Sequence, residues 1–258
     1  MLAGAYLPVV HGSSPDWPVE LLLVRHGESA GNVARDDAEL RGLDRIHIDA
    51  RRDPDVPLSP LGEQQAEALG RWLSEQPPGR RPTAVLASPY VRAFRTAGIA
   101  LRAAGLSEVP LRIDERLRER ELGVLDRLTR RGIEHEFPEQ ARLRSTLGKF
   151  YHRPPGGESW CDVILRLRSV LETVSRELRG ERVLIVCHSA VVLCFRYLLE
   201  QMTEEQILAV DRAVDVANCS VTSYALEGER LALRRFNFVA PLRERGAKVT
   251  TEPDAAPS

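Results

Sequence analysis

Arg25 and His26 stand at the end of an unbroken apolar run, Leu21-Leu22-Leu23-Val24, and are followed at once by Gly27. A guanidinium offers a planar fork of donors that fits a phosphate, and an imidazole nitrogen beside it can attack phosphorus when the ring is neutral. Two groups of the same kind recur far along the chain. Arg92 follows Ser88-Pro89, a pair that starts helices because serine caps free N–H groups while proline has none to lose, and so falls in a helical first turn. His188 follows the apolar run Arg182–Cys187 (RVLIVC) and repeats the placement of His26. The chemistry suggested is transfer of a phosphoryl dianion to a histidine nitrogen, with cations on the remaining oxygens. Taken one at a time, these are ordinary polar residues at strand ends.

The elements that must position them follow from the runs themselves. An apolar run with no polar break suits a strand buried on both faces of a largely parallel sheet. In open α/β sheets ligands bind at the carboxyl ends of such strands, where the next helix directs free N–H groups into a crevice. The fold expected is therefore α/β, a three-layer sandwich whose largely parallel central sheet is flanked by helices. Gly27 lets the backbone turn closely at the first strand end.

RHGESAGN resembles the signature of the histidine phosphatase superfamily, also called the phosphoglycerate mutase-like family, in which Arg-His-Gly follows the first strand. The resemblance runs from about Glu20 to about Phe238 through several separated motifs. It implies His26 as the nucleophile, Arg92 as a phosphate-clamping arginine, His188 as the second catalytic histidine and Asn32 as a further donor. Leu117-Arg118-Glu119, followed by Gly123, is similar to the family's Leu-x-Glu segment, which carries Glu119 into the role of proton donor. Glu121 is its competitor, and the residues alone do not decide between them. The sequence departs from the family after His188, where Ser189-Ala190 stands in place of glycine; Ser189 either donates to the phosphate or narrows the pocket. The family's mutases carry a tyrosine three places after the acid where this chain has Leu122, and PGGES (Pro155–Ser159) is similar to the phosphatase branch. The resemblance thus implies a phosphomonoester hydrolase working without metal or cofactor through a phosphohistidine. The alternatives are a mutase and a catalytically weak phospholigand-binding module.

Composition bounds the rest. In 258 residues, 36 basic against 37 acidic side chains give a net charge of -1, which argues against a general polyanion binder, so any phosphate affinity must be local. The partner expected is a small phosphorylated substrate, with no nucleic acid and no membrane; the oligomeric state is not legible. Cys161, Cys187, Cys194 and Cys219 are irregularly spaced without a CxxC pair and read as free thiols of a cytoplasmic protein. Cys187 has no arginine six places on, which excludes the phosphate loop of cysteine-based phosphatases.

Along the chain, residues 1–18 read as a loose arm containing His11, residues 19–240 as one domain with an inserted loop and helix cap at about 114–158, and residues 241–258 as a disordered tail. The charged stretch Val33–Asp55 shows no persistent helical stripe and reads as a loop or short irregular helices over the site. Either its Arg41, Arg45, His47, Arg51 and Arg52 reach a second anionic group, or they form a solvated surface. Ser59-Pro60 starts a helix, and Ala84–Ala87 and Leu111–Ile113 read as strands. Thr129–Leu147 reads as short helices broken near Pro138. In the Gly/Pro-rich loop GKFYHRPPGGES, Lys149, His152 and Arg153 either line an anion pocket or are simply solvated. Ser159 with Asp162 caps a helix whose stripe runs from Trp160 to Leu178. Thr203–Ala213 reads as a helix, and Ala217–Leu226 with Leu231–Phe238 as a hairpin.

Overall fold

The computed structural model describes residues 17–251. The expected N-terminal arm lies outside them up to residue 16, as does the tail from residue 252. Strand β1 (Glu20–Arg25) pairs in parallel with β4 (Arg182–Cys187), which pairs in parallel with β2 (Ala84–Ala87), and β2 pairs in parallel with β3 (Leu111–Ile113). On the other side of β1, β5 (Val221–Glu227) and β6 (Arg230–Phe238) add antiparallel, giving the order β3-β2-β4-β1-β5-β6. This is the expected α/β sandwich with a largely parallel sheet.

The period of two along each strand explains why the apolar runs have no break. Leu21, Leu23, Val183 and Ile185 face one core, with helices α6 (Trp160–Glu177) and α7 (Ser189–Leu199). Leu22, Val24, Leu184 and Val186 face the other, with α2 (Pro60–Glu75) and α3 (Val91–Ala103). Each strand is covered twice, so every position must be apolar. The stripe of α6 is buried as expected, and Ser159 with Asp162 forms its capping box.

Several segments differ from the reading of the sequence. Ala30–Leu40 is one regular helix, α1, in place of a loop or short irregular helices. Only Ala38 of it is buried, so it has no stripe; a capping box between Ser29 and Asn32 starts it instead. After α4 (Arg130–Glu136), helix α5 (Pro138–Tyr151) runs on into the expected Gly/Pro loop, broken at Gly148, whose φ is 77°. Ser88 does not cap α3. The N-cap is Tyr90 without a side-chain bond, because the Ser88 hydroxyl meets the His188 ring at 2.7 Å. After α8 (Glu204–Ala213) and the hairpin, the tail expected to be disordered turns into α9 (Ala240–Arg243) with Leu242 fully buried. It continues to Lys248 and Thr250, where Gln65 of α2 donates to the Lys248 carbonyl and the Thr250 hydroxyl, both at 2.9 Å.

Candidate active site

Four parallel strands end side by side and each delivers one part of the site. Arg25 closes β1 opposite Cys187, the last residue of β4. His188 follows β4, Ser88 follows β2, and the segment after β3 reaches Glu119 through a 3-10 turn at Glu115–Leu117. The cleft above them is lined by Arg25, His26, Asn32, Arg92 and Glu119, all singled out from the sequence.

His26 is 4% exposed and its Nδ1 lies 2.7 Å from the Gly27 carbonyl. A carbonyl only accepts, so Nδ1 carries the hydrogen and Nε2 keeps a lone pair. Burial holds the ring well below the usual histidine range, and the charges of Arg92 and Arg25 push the same way. The imidazole is therefore neutral at neutral pH, the form a nucleophile needs. Its loop is fixed by close approach. A Cβ on Gly27 would come within 2.5 Å of the Gly62 carbonyl oxygen, which leaves no room for any other residue. The Gly27 N–H donates to Thr96 of α3, and Thr96 in turn donates to the Arg92 carbonyl, tying the nucleophile loop to the turn that carries Arg92.

His188 is fully buried beside His26, with ring centroids 5.1 Å apart. Burial and the same arginines hold it neutral too, with burial the largest cause. Ser88 Oγ accepts from the Tyr90 N–H and pairs with His188 Nε2 at 2.7 Å. His188 Nδ1 is buried and has no hydrogen-bond partner among the described residues. Ser189 is buried at the start of α7 and is not part of the cleft wall.

Asn32 Oδ1 is used by the capping box, accepting from the Ser29 N–H at 2.9 Å, so the donor it offers the cleft is its Nδ2. Arg92 enters from the first turn of α3 as expected, but its guanidinium is held by Asp53, through two side-chain contacts of 3.0 Å and one of 2.8 Å to the carbonyl. Glu119 and Glu121 both line the cleft. Glu121 accepts from the Tyr90 hydroxyl at 2.6 Å, while Glu119 Oε1 accepts from the Arg120 N–H at 2.9 Å. Burial, followed by the Glu121 contact, pushes the Tyr90 phenol upward, so it stays a donor.

Of the basic residues in the Val33–Asp55 stretch, Arg35 lines the cleft, whereas Arg41, Arg45, His47, Arg51 and Arg52 do not. Arg41 pairs with Asp37, Arg45 with Glu136 and Arg52 with Asp55, and besides Arg35 the stretch contributes Ile46, Ile48 and Asp53 to the cleft wall. Lys149 is tied to Asp211 at 2.8 Å, and Arg153 donates to the Gly157 carbonyl, so neither lines an anion pocket. His152 is buried against Gln140.

What the sequence reading missed is the support behind Glu119. Glu158, from PGGES, accepts from Arg118 at 2.7 Å, from Arg166 at 3.0 Å and from the Glu121 N–H at 3.2 Å. Arg166 also donates to the Arg116 and Glu119 carbonyls. Gly123 completes the junction. Its φ is 56°, and a Cβ there would strike the Pro155 carbonyl at 2.1 Å. PGGES is thus the brace that holds the 118–123 segment over the cleft.

The profile of the histidine phosphatase superfamily (branch 1) matches residues 21–239. The chain belongs to that superfamily. It is 33% identical over 198 residues to a 2,3-bisphosphoglycerate-dependent phosphoglycerate mutase of Allorhizobium ampelinum, covering 76% of this chain and 86% of that one. It is 32% identical over 189 residues to a 6-phosphofructo-2-kinase/fructose-2,6-bisphosphatase of Gallus gallus, covering 73% of this chain but only 34% of that longer one. Among solved structures, Bacillus stearothermophilus YhfR superposes with a TM-score of 0.68 at 28% identity, covering 86% of this chain and 98% of that one. The mycobacterial glucosyl-3-phosphoglycerate phosphatase Rv2419c, solved with VO3, gives 0.61 at 28% identity, with coverages of 83% and 96%. The relatives include both phosphatases and mutases. Among the described residues no helix is long and apolar enough to cross a membrane.

Proposed function

We propose that the protein is a phosphomonoester hydrolase that works through a phosphohistidine on His26. The observation that carries this reading is the neutral His26 ring, with Nδ1 occupied by the Gly27 carbonyl and Nε2 facing a cleft shared with Arg25 and Arg92. His26 Nε2 attacks phosphorus, the P–O bond to the leaving group breaks, and Glu119 gives its proton to the departing oxygen. Arg25, Arg92 and the N–H of His188 take the charge on the other phosphoryl oxygens. Glu119, now a carboxylate, draws a proton from water, whose oxygen attacks the phosphohistidine and releases phosphate with His26 restored. Each step uses only side chains of this constellation.

The mutase reading keeps a specific support, the 33% identity to a phosphoglycerate mutase. Leu122 on the cleft wall argues against it, because the family's mutases carry tyrosine there. The test of the proposal is acid quenching during turnover of a phosphate monoester, with chelator present. A phosphohistidine is expected in the wild type and not in His26→Ala, together with release of inorganic phosphate. Near-normal turnover by His26→Ala, or loss of wild-type activity on chelation, would overturn the proposal.

A further inference from the structure

Gly27, beside the nucleophile, has no side chain to anchor it, so the loop depends on what holds the two peptide planes that flank it. In the plane between His26 and Gly27, the N–H donates to Thr96 and the His26 carbonyl accepts from Asn218 Nδ2 at 3.1 Å. In the plane between Gly27 and Glu28, the carbonyl meets His26 Nδ1, and the Glu28 N–H donates to Gln65 Oε1 at 2.8 Å. Because a peptide unit is rigid, a partner on the Glu28 N–H also fixes the direction of the Gly27 carbonyl. That carbonyl keeps the hydrogen of His26 on Nδ1 and leaves Nε2 free to attack.

Gln65 and Asn218 are both fully buried, and come from α2 and from the turn before β5. One hydroxyl joins them. Thr250 Oγ1 accepts from Gln65 Nε2 at 2.9 Å and donates to Asn218 Oδ1 at 3.0 Å. These directions are forced from both ends. The Glu28 N–H can only donate, and the Lys248 and His26 carbonyls can only accept, which orients both amides and leaves Thr250 to take one hydrogen and give another. The Asn218 N–H also donates to the Thr250 carbonyl at 3.0 Å, so the backbone places the hydroxyl.

We propose that Gln65, Asn218 and Thr250 are positioning residues for His26, linked by the Thr250 hydroxyl into one clamp on the backbone from His26 to Glu28. This rests on the phosphohistidine reading for His26 as the attacking group. None of the three lines the cleft; they act from behind the loop, through its carbonyls and N–H groups. With the clamp released, the Gly27 carbonyl is free to turn, and the ring loses the contact that sets its tautomer and direction. A small misplacement of the attacking nitrogen slows attack, while Arg25 and Arg92 still bind the dianion.

Thr250→Val keeps the shape of the side chain and removes the hydroxyl, whereas Thr250→Ser retains the hydroxyl. On a phosphate monoester, Thr250→Val is expected to lower kcat about three- to tenfold with KM and inorganic phosphate binding within about twofold, and Thr250→Ser to stay within about twofold of the wild type throughout. Imidazole nitrogen NMR shifts, assigned to His26 by comparison with His26→Ala, supply a readout that loss of packing alone does not move. The wild type should show the hydrogen on Nδ1, and Thr250→Val and Gln65→Met should show exchange between the two tautomers. Unchanged kcat in Thr250→Val, an equal loss in Thr250→Ser, or wild-type His26 shifts in both Thr250→Val and Gln65→Met overturns the proposal. The shifts are read without turnover. Tautomer exchange in the variants of a protein that forms no phosphohistidine would therefore remove the attacking role of His26 and leave the clamp, while a phosphohistidine with wild-type shifts and rates in the variants would do the reverse.

Discussion

Asp53 holds both terminal nitrogens of Arg92, occupying with a carboxylate the fork expected to hold phosphate. The Arg92 side chain is 7% exposed and that of Asp53 35%, so the arginine is fixed in the wall while its partner sits where water and ligand reach it. An incoming phosphate dianion must displace this carboxylate or share the guanidinium with it. Asp53→Asn removes the competing charge and keeps the shape, and is expected to tighten inorganic phosphate or vanadate binding about three- to tenfold, a discounted share of a charge-assisted contact. Weaker binding in Asp53→Asn would show instead that Asp53 orients Arg92 and does not compete.

Arg92→Ala is expected to do the opposite and weaken vanadate binding about ten- to a hundredfold, the range of a charge-assisted contact in a dry site. In the double variant the Asp53→Asn gain should vanish, because the two residues act on one contact. Additive effects would separate Asp53 from the phosphate fork.

The buried histidines set the acid limb of stability. His26 and His188 are both held well below 6.5, mainly by burial and then by neighbouring arginines. Their contribution is fully present above the unfolded value and is lost as pH falls below it, because there the unfolded chain takes up protons that the folded one refuses. Each such group contributes up to about 1.4 kcal/mol per pH unit in that window. Unfolding free energy from denaturant titrations between pH 5 and 7.5 should therefore fall on acidification, and less steeply in His26→Ala. An unchanged slope in the variant would mean that His26 titrates normally in the fold.

How much of this was legible in the sequence depended on whether burial or pairing made the feature. β1 and β4 could be read because burial on both faces forces an unbroken apolar run, and the polar residue ending each run stood out against it. α1 could not be read by periodicity, since it buries only Ala38, although Ser29 and Asn32 carried a capping signal. Ser88-Pro89 has the composition of a cap, but a fully buried histidine from a distant strand end claims the hydroxyl. The tail is anchored by Leu242 with Ala247 and Val249, and by Gln65 and Asn218, which bond Lys248 and Thr250, scattered contacts that leave no period to separate it from a charged disordered end. Least legible were the charge partners. Nothing local says that Asp53 answers Arg92 or that Glu158 answers Arg118 and Arg166.

Glu158 shows what such a partner does. Its side chain and that of Arg166 are each only 10% exposed, and removing one member of a buried pair typically costs about 3–5 kcal/mol because the other is stranded. Glu158→Ala should lower stability by that order. The milder Glu158→Gln keeps the acceptor to the Glu121 N–H and should lower kcat more than it raises KM, since it loosens the segment bearing the acid. If the loss were the same for good and poor leaving groups, Glu158 would be bracing the fold and not the proton donor.

The choice between Glu119 and Glu121, and with it that between hydrolase and mutase, comes down to protons. In a hydrolase the acid acts twice, giving a proton to the leaving oxygen and then taking one from water, whereas a mutase must shield its phosphohistidine from that water. Glu121 is already engaged as the acceptor of the Tyr90 hydroxyl, while Glu119 lies on the same wall beside Arg120. Glu119→Gln is therefore expected to slow turnover by about two to four orders of magnitude. An aryl phosphate, whose leaving group needs little protonation, should lose less than an alkyl phosphate. Glu121→Gln serves as the control with a small and leaving-group-independent effect, and a larger, leaving-group-dependent loss there would move the acid to Glu121. With Leu122 where the mutases have tyrosine, the wild-type phosphoenzyme should be short-lived, and rapid-quench kinetics should show it discharging to water. Transfer between the hydroxyls of phosphoglycerate faster than release of phosphate would make the protein a mutase.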